Sequence, residues 1–420
     1  MIRNIARSPW VKVMLIVNFC LFSIIANTEG PAITAAIKYY HTSYQAASYL
    51  PVVRDGLNLL VSLSVFGVLI KLGYRRSLIG ILVIIGIGCL IFPFINSFTA
   101  LLVLFAIIGA LFALTKLCIY TLVTTVTNSK QEYASTISLV EGFYMTAQCA
   151  SFWIFGTAIH YEGQNWVNLY WLFTGIAVVV IILWLFVPTD ETKVREKQIS
   201  IKNEYKEMFK LIKKPLTLMF LIITAFYLFI EASLLTWLPT FNNQGLHISI
   251  ALSIYIGSII TASIAIGRLS GAYILKRFKW NIYLLITISL AMIYLIIMIF
   301  LIKSALDTEP VAEIKTWGDI PFAAYLFPLI GLLLGPVYPA LAAVTLKSVP
   351  DKRNAGMMVL LMVFLGIGGI SGQKTIGVLF GVLGPFYAFV SLLVPLSILW
   401  IVIVIINIFI RKIDSSLESS

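Results

Sequence analysis

Apolar residues run along this chain in blocks of about 20 or more, separated by short stretches that carry charge, glycine or proline. A helical run of that length crosses a hydrocarbon core of roughly 30 Å. Dividing the chain at its breaks predicts twelve spans, at 10–38, 46–70, 77–95, 100–126, 133–158, 166–187, 215–241, 250–275, 281–302, 320–346, 355–382 and 386–410. Two groups of six are parted by Pro188–Lys214, which holds eight basic and five acidic residues and reads as a solvated linker. Within it Tyr205, Met208, Phe209 and Ile212 recur at i, i+3, i+4 and i+7, the pattern of a short amphipathic helix lying on a membrane surface. The expected fold class is all-α integral membrane. Twelve transmembrane helices form two pseudo-symmetric six-helix bundles, 1–187 and 215–420, the latter including a cytoplasmic tail; residues 188–214 form the linker. The first span carries Asn18, Asn27 and Glu29 and reads as a retained helix, not a cleaved leader.

Composition agrees: of 420 residues 60% are hydrophobic and only 11% charged. The formal net charge of +12 invites a nucleic-acid reading, but its distribution argues for topology instead. With a cytoplasmic N-terminus, 23 of the 30 basic residues fall in inner loops and tails, and only Lys38, Lys303 and Lys315 face outward. That asymmetry places both termini in the cytoplasm of a plasma membrane, in a bacterium the inner membrane. The four cysteines lie within apolar spans and read as packing residues. His41, His160 and His247 fall at loop edges, so neither a metal site nor a cofactor is expected. HExxH, GxSxG and phosphate-loop motifs do not occur in the sequence, and the chain reads as no enzyme.

Against this apolar background Glu29, Arg54, Asp55, Lys116, Glu141, Glu231 and Lys374 stand out inside the spans. Each costs roughly 2.5 kcal/mol or more at the bilayer centre, so each needs a partner or a task. With a rise of about 1.5 Å per residue, Glu29, Arg54, Asp55 and Lys374 fall in the outer half. Lys116 and Glu141 lie near the midplane on consecutive spans, where they can pair, and Glu231 lies near the midplane of the second bundle. Glu29 precedes Gly30-Pro31, and span 10 carries Gly335-Pro336 and Pro339. Proline frees a backbone carbonyl that must find a partner or face water, and such breaks point to transporter binding sites. Asn27, Tyr120, Gln148, Tyr227, Trp237, Tyr338 and Gln373 add groups able to bind or stack on a polar solute, although Trp237, near the outer end of its span, also suits an interfacial belt.

The bundles echo each other. Span 2 ends Gly67-Val-Leu-Ile-Lys71-Leu-Gly-Tyr-Arg75-Arg76, and span 8 ends Gly271-Ala-Tyr-Ile-Leu-Lys276-Arg277. Twelve spans, a central linker and these matching ends resemble the 6+6 repeat of the major facilitator superfamily. Gly67, Lys71, Arg75 and Arg76 are similar to its signature turn. Span 7, Tyr227-Leu-Phe-Ile-Glu231-Ala-Ser-Leu-Leu-Thr-Trp237, and span 10, Gly335-Pro336-Val-Tyr338-Pro339, resemble the fucose–galactose–glucose:proton symporter branch. Span 4 reads Thr115-Lys116-Leu-Cys-Ile-Tyr120, where those symporters carry an acid before Asn-Pro.

The resemblance implies that spans 1, 4, 7 and 10 line a central cavity and that span 11 abuts span 2, so that Glu29 or Asp55 would neutralise Lys374 and Arg54. Proton coupling is then expected of Glu29, Glu231, Asp55 and Glu141. Substrate contact is expected of Asn27, Lys116, Tyr120, Gln148, Tyr227, Trp237, Tyr338, Gln373 and Lys374. Gating or charge networking is expected of Arg54, Asp55, Lys71, Arg75, Arg76 and Arg268. The expected activity is proton-coupled secondary transport of a sugar or related small metabolite by a lipid-embedded monomer, through rocking of 1–187 against 215–410. Efflux of drugs or metabolites is the alternative, as is a lipid-flipping activity.

Overall fold

The computed structural model describes residues 9–64, 73–187, 189, 212, 215–274, 277, 279–306, 313–347 and 354–418. The chain divides into two compact units, 1–199 and 200–420. Nine of the described helices are long and apolar enough to cross a membrane. The remaining spans are carried by Tyr49–Ser64, Lys130–Glu162 and Leu393–Glu418. The fold is therefore the twelve-helix membrane architecture expected. The linker's surface helix, Gly67 and Lys71 lie outside the described residues.

Each unit repeats one packing scheme. In the first, span 1 packs along span 5, span 2 along span 4 and span 3 along span 6; in the second, span 7 packs along span 11, span 8 along span 10 and span 9 along span 12. Small residues make the closest of these contacts possible, because apolar side chains gain nothing from leaving lipid and close packing must supply the attraction. A methyl group at Gly109 of span 4 would collide with the Arg54 carbonyl of span 2. Gly368 and Gly372 of span 11 press in the same way on the Ala225 and Phe229 carbonyls of span 7.

Two spans are discontinuous where proline foretells it. Span 1 is two helices, Pro9–Ala26 and Glu29–Tyr39, parted at Asn27-Thr28. Pro31 has no N–H to offer the carbonyl four residues back, that of Asn27. Span 10 is cut into short helices, the last two being Ile330–Leu334 and Val337–Lys347, with Gly335-Pro336 between them. Pro336 deprives the Leu332 carbonyl of its donor, and that oxygen abuts Gly267 of span 8. Span 12 begins later than expected. Gly384, at φ +83°, kinks the chain before Pro385, helix resumes to Val390, and span 12 starts at Leu393 instead of 386. Proline fits the first turn of a helix, so the Gly-Pro pair redirects the chain without ending helical structure.

The polar ends are closed by local devices. The Arg75 guanidinium donates to the carbonyls of Trp184 (2.6 and 3.2 Å) and Leu185 (3.2 Å), closing the C-terminus of span 6, while Arg76 is exposed. At the start of span 5, Ser129 Oγ accepts from the Glu132 amide at 3.0 Å, Glu132 Oε2 accepts from the Asn128 amide at 2.9 Å, and Lys12 Nζ donates to Glu132 Oε1 at 2.9 Å. In the second unit the loops after spans 7 and 9 join through a parallel bridge between Ile248 and Ile314. None of the four cysteines is in a disulfide.

Candidate functional site

In the first unit the break in span 1 is built around one guanidinium. Arg54, one turn into span 2, donates from Nη1 to the Ala26 carbonyl at 3.1 Å and from Nε to Asp55 Oδ1 at 2.8 Å. The same Nη1 forms an ion pair with Glu29 Oε2. Ala26 ends the N-terminal half of span 1, the inner half in the expected topology, and Glu29 begins the C-terminal, outer half. A cation at a helix C-terminus and an anion at a helix N-terminus are each favourable with the helix dipole. The break thus suits this pair of charges twice over.

Among the described residues of this unit, two carboxyl groups, Glu29 and Asp55, share one guanidinium, Arg54. The Glu29 side chain is only 2% exposed, and its Oε1 has no hydrogen-bond partner. Asp55 is 21% exposed and Arg54 18%. Beside them lies a cavity of about 50 Å³ whose lining includes Asn27, Arg54, Asp55, Asn58, Phe112 and Tyr144. That is room for about three waters. Asn27 ties this wall to span 5, donating from Nδ2 to Tyr144 Oη at 3.1 Å, while Ser23 Oγ donates to the Tyr144 carbonyl at 2.7 Å.

Deeper in the unit, Lys116 Nζ stands 3.4 Å from Glu141 Oε1, as their depths predict. Tyr120 hydrogen-bonds the same carboxylate oxygen, and Lys116 lies 5.4 Å from the Tyr120 ring centroid. Lys116 and Glu141 are 39% and 34% exposed, so this pair is far more open than the triad. Gln148, two turns beyond Glu141 on the same helix, is half-buried.

In the second unit an Arg–Glu pair lies within the spans. Arg268 Nη2 of span 8 donates to Glu231 Oε1 of span 7 at 2.7 Å. The sequence marks both residues, but nothing in a separation of 37 positions assigns them to each other. Glu231 Oε2 and Arg268 Nε are buried without partners. One turn before Glu231, Tyr227 is fully buried, its ring stacked on that of Tyr338 at 6.3 Å and 15°, and its hydroxyl has no partner. Trp237 corrects an expectation. Instead of serving as an interfacial belt it is wholly buried, and its Nε1 donates to the Gln373 carbonyl at 2.8 Å. Gln373 Nε2 donates to Thr236 Oγ1 at 3.1 Å, which leaves Gln373 Oε1 buried and unmatched. Lys374 is half-buried in span 11 of the second unit.

Among the described residues no cluster of three or more His, Cys, Asp or Glu is arranged to hold a metal. What the arrangement offers is charge and hydrogen bonding at depth: two carboxyl groups sharing one guanidinium beside a small polar cavity, one semi-exposed Lys–Glu–Tyr group, and one Arg–Glu pair.

A family model described as the Major Facilitator Superfamily matches residues 14–372. The chain belongs to that superfamily. No curated protein matches it in sequence. Among solved structures, the nucleoside transporter NupG superposes with a TM-score of 0.72 at 14% identity, covering 94% of this chain and 97% of that one. A bacterial homologue of the human lysosomal transporter Spinster gives 0.72 at 14% identity, with 94% and 96% covered. The Escherichia coli fucose:proton symporter FucP, solved as a point variant, gives 0.56 at 14% identity, with 93% and 97% covered. At such identities these likenesses establish the fold, and this major facilitator protein is an integral membrane transporter by family.

Proposed function

We propose that this facilitator is a proton-coupled secondary transporter that moves a small hydrophilic organic solute, a sugar or related metabolite, by alternating access. The observation that carries the coupling is that two carboxyl groups, Glu29 and Asp55, share the single guanidinium of Arg54. A net negative charge held in the membrane is costly, and binding one proton removes it. The Glu231–Arg268 and Lys116–Glu141 pairs are already balanced and gain nothing comparable from a proton. Glu29 is therefore the proton carrier of choice, with Asp55 beside it; Glu231 and Glu141 hold charged partners in place.

Solute binding falls to groups with unmet hydrogen-bonding capacity or exposure. Tyr227 Oη, Glu231 Oε2 and Gln373 Oε1 offer buried polar atoms that the hydroxyls of a solute can satisfy, and an unpaired buried polar atom is the state a ligand improves. Lys116, Tyr120 and Gln148 form the matching set in the first unit. Two solved neighbours are named as a nucleoside transporter and a fucose:proton symporter, and a nucleoside and fucose both carry hydroxyls. That agrees with this choice over efflux or lipid flipping. Its basic-residue asymmetry supports a plasma-membrane protein with both termini cytoplasmic, and we take the single chain as the working unit.

The test is uptake into proteoliposomes under an imposed pH gradient without ATP. Sugars, nucleosides, amino acids and carboxylates are first screened by the thermal shift each gives the purified protein. Accumulation of one such solute that collapses with the gradient supports the reading. A solute that equilibrates but never accumulates, whatever the gradient, removes the coupling.

A further inference from the structure

Span 1 is loosened by a turn at Asn27-Thr28, where Thr28 keeps a right-handed helical backbone, and one side chain holds both sides of that turn. The Arg54 guanidinium reaches the last carbonyl of the inner half, Ala26, and the first side chain of the outer half, Glu29. The outer end of Glu29–Tyr39 is anchored separately, since Tyr40 Oη donates to Asn96 Oδ1 at 2.8 Å and Asn96 Nδ2 donates to Tyr39 Oη at 2.7 Å. Between these anchors its buried face is made largely of small residues, including Gly30, Ala32, Ala35 and Ala36. Such a face slides more readily than interdigitated large side chains, and the missing Pro31 N–H already weakens the join.

We infer that Arg54 is a positioning residue that fastens the two halves of span 1, and that a proton arriving on Glu29 unfastens the outer half. This rests on the proton-coupled reading and adds what the proton does. The charges that face Glu29 across the break are Arg54 and Asp55 from span 2. The Tyr144 hydroxyl of span 5 accepts from Asn27, and Tyr170 of span 6 stands beside Thr28. Span 4 presents Ile108, Gly109 and Phe112, none of which titrates. The cavity is lined by Arg54 and Asp55 but not by Glu29, so the proton enters beside those two side chains and passes them to reach Glu29 Oε1, the oxygen without a partner. Glu29 becomes neutral, and Arg54 keeps Asp55 as its counter-ion and the Ala26 carbonyl as an acceptor. Only the bond to the outer half loses its charge. The inner half stays attached to span 2, and Glu29–Tyr39 is free to turn about its Asn96 anchor.

The experiment is hydrogen–deuterium exchange on the full-length protein, with rates corrected for intrinsic pH dependence. Glu29→Gln removes the charge without needing a proton. At about pH 8 it should raise exchange across 29–39 by roughly tenfold, the mark of a local opening, while Phe98–Thr125 stays at the wild-type rate. Lowering the pH should bring wild type to the same rate. Arg54→Lys keeps the charge, but one ammonium cannot span both sides of the turn, and it should raise exchange across 29–39 at every pH. If 29–39 in Glu29→Gln exchanges as in wild type, the fastening role is overturned. Should Glu29→Gln lose gradient-driven accumulation with that exchange unchanged, the coupling reading survives and the fastening does not. Faster exchange with accumulation intact does the reverse.

Discussion

Each unit sets an arginine of its second helix against an acid of its first, and each arginine lies at a helix break, but the two breaks are held by opposite means. In the first unit the Arg54 side chain itself crosses the break in span 1 and is shared by Glu29, Asp55 and the Ala26 carbonyl. In the second unit the contact with the broken span 10 is made by backbone. Gly267 receives the Leu332 carbonyl that Pro336 leaves without a donor, and a methyl at Gly335 would meet the Ile264 carbonyl and the Arg268 nitrogen. There the side chain serves only to pair with Glu231. A break held by charge responds to protons, whereas one held by shape does not. On the proposed coupling, the pseudo-symmetric fold yields a titrating half and a static half from the same helix arrangement.

Replacing the acids separates the two most strongly. Glu29→Gln should abolish gradient-driven accumulation in proteoliposomes while leaving solute exchange intact. Glu231→Gln strands Arg268 without its counter-ion, a loss of about 3 kcal/mol for a buried pair. It should lower the thermal midpoint and depress exchange and accumulation together. Selective loss of accumulation in Glu231→Gln, with Glu29→Gln unaffected, would reverse the assignment.

The tight crossings give the next contrast. Gly109→Ala drives a methyl into the Arg54 carbonyl, and Gly368→Ala does the same to Ala225. Each should cost about 1–3 kcal/mol as overpacking, read as a drop in thermal midpoint. Only Gly109→Ala moves the charged triad, so it alone should also shift the pH dependence of uptake. Equal pH profiles for the two variants would mean that the triad tolerates displacement. A smaller effect is expected at Lys116, whose half-open pair with Glu141 is worth at most about 1 kcal/mol. Lys116→Gln should leave the thermal midpoint nearly unchanged while raising the solute concentration needed for half-maximal uptake.

The smallest effect lies at the N-terminal end of span 5. Lys12 Nζ and the Asn128 amide hold the Glu132 carboxyl below its usual range. A carboxyl depressed in the folded state stabilises it at pH above the unfolded value, and the contribution fades as pH falls through the folded one. Glu132→Gln should therefore narrow the stability difference between neutral and acidic pH slightly, as followed by thermal unfolding. No change in that difference would show the contact to be energetically silent.

Much of this was legible from residue order, because a bilayer allows few solutions. A backbone without water must satisfy itself within helices, so apolar run length reports the spans directly. The Lys116–Glu141 pair followed from depth alone, since consecutive antiparallel spans bring equal depths together. Pro31 and Pro336 announced both breaks through the hydrogen bonds they remove. The Glu231–Arg268 pairing was not legible, because two helices of known depth still need a rotation about their axes to set which faces meet. Nor was the sealing of Trp237 by Gln373, which requires spans 7 and 11 to touch through Gly368 and Gly372. Sequence by itself determined the number of helices, an expected polarity of insertion, and which charges lie at depth, since those are set by transfer energy along one dimension. Tertiary structure decided which charge answers which, and that one arginine spans both ends of a broken helix, because such choices depend on angles of packing that no linear pattern encodes.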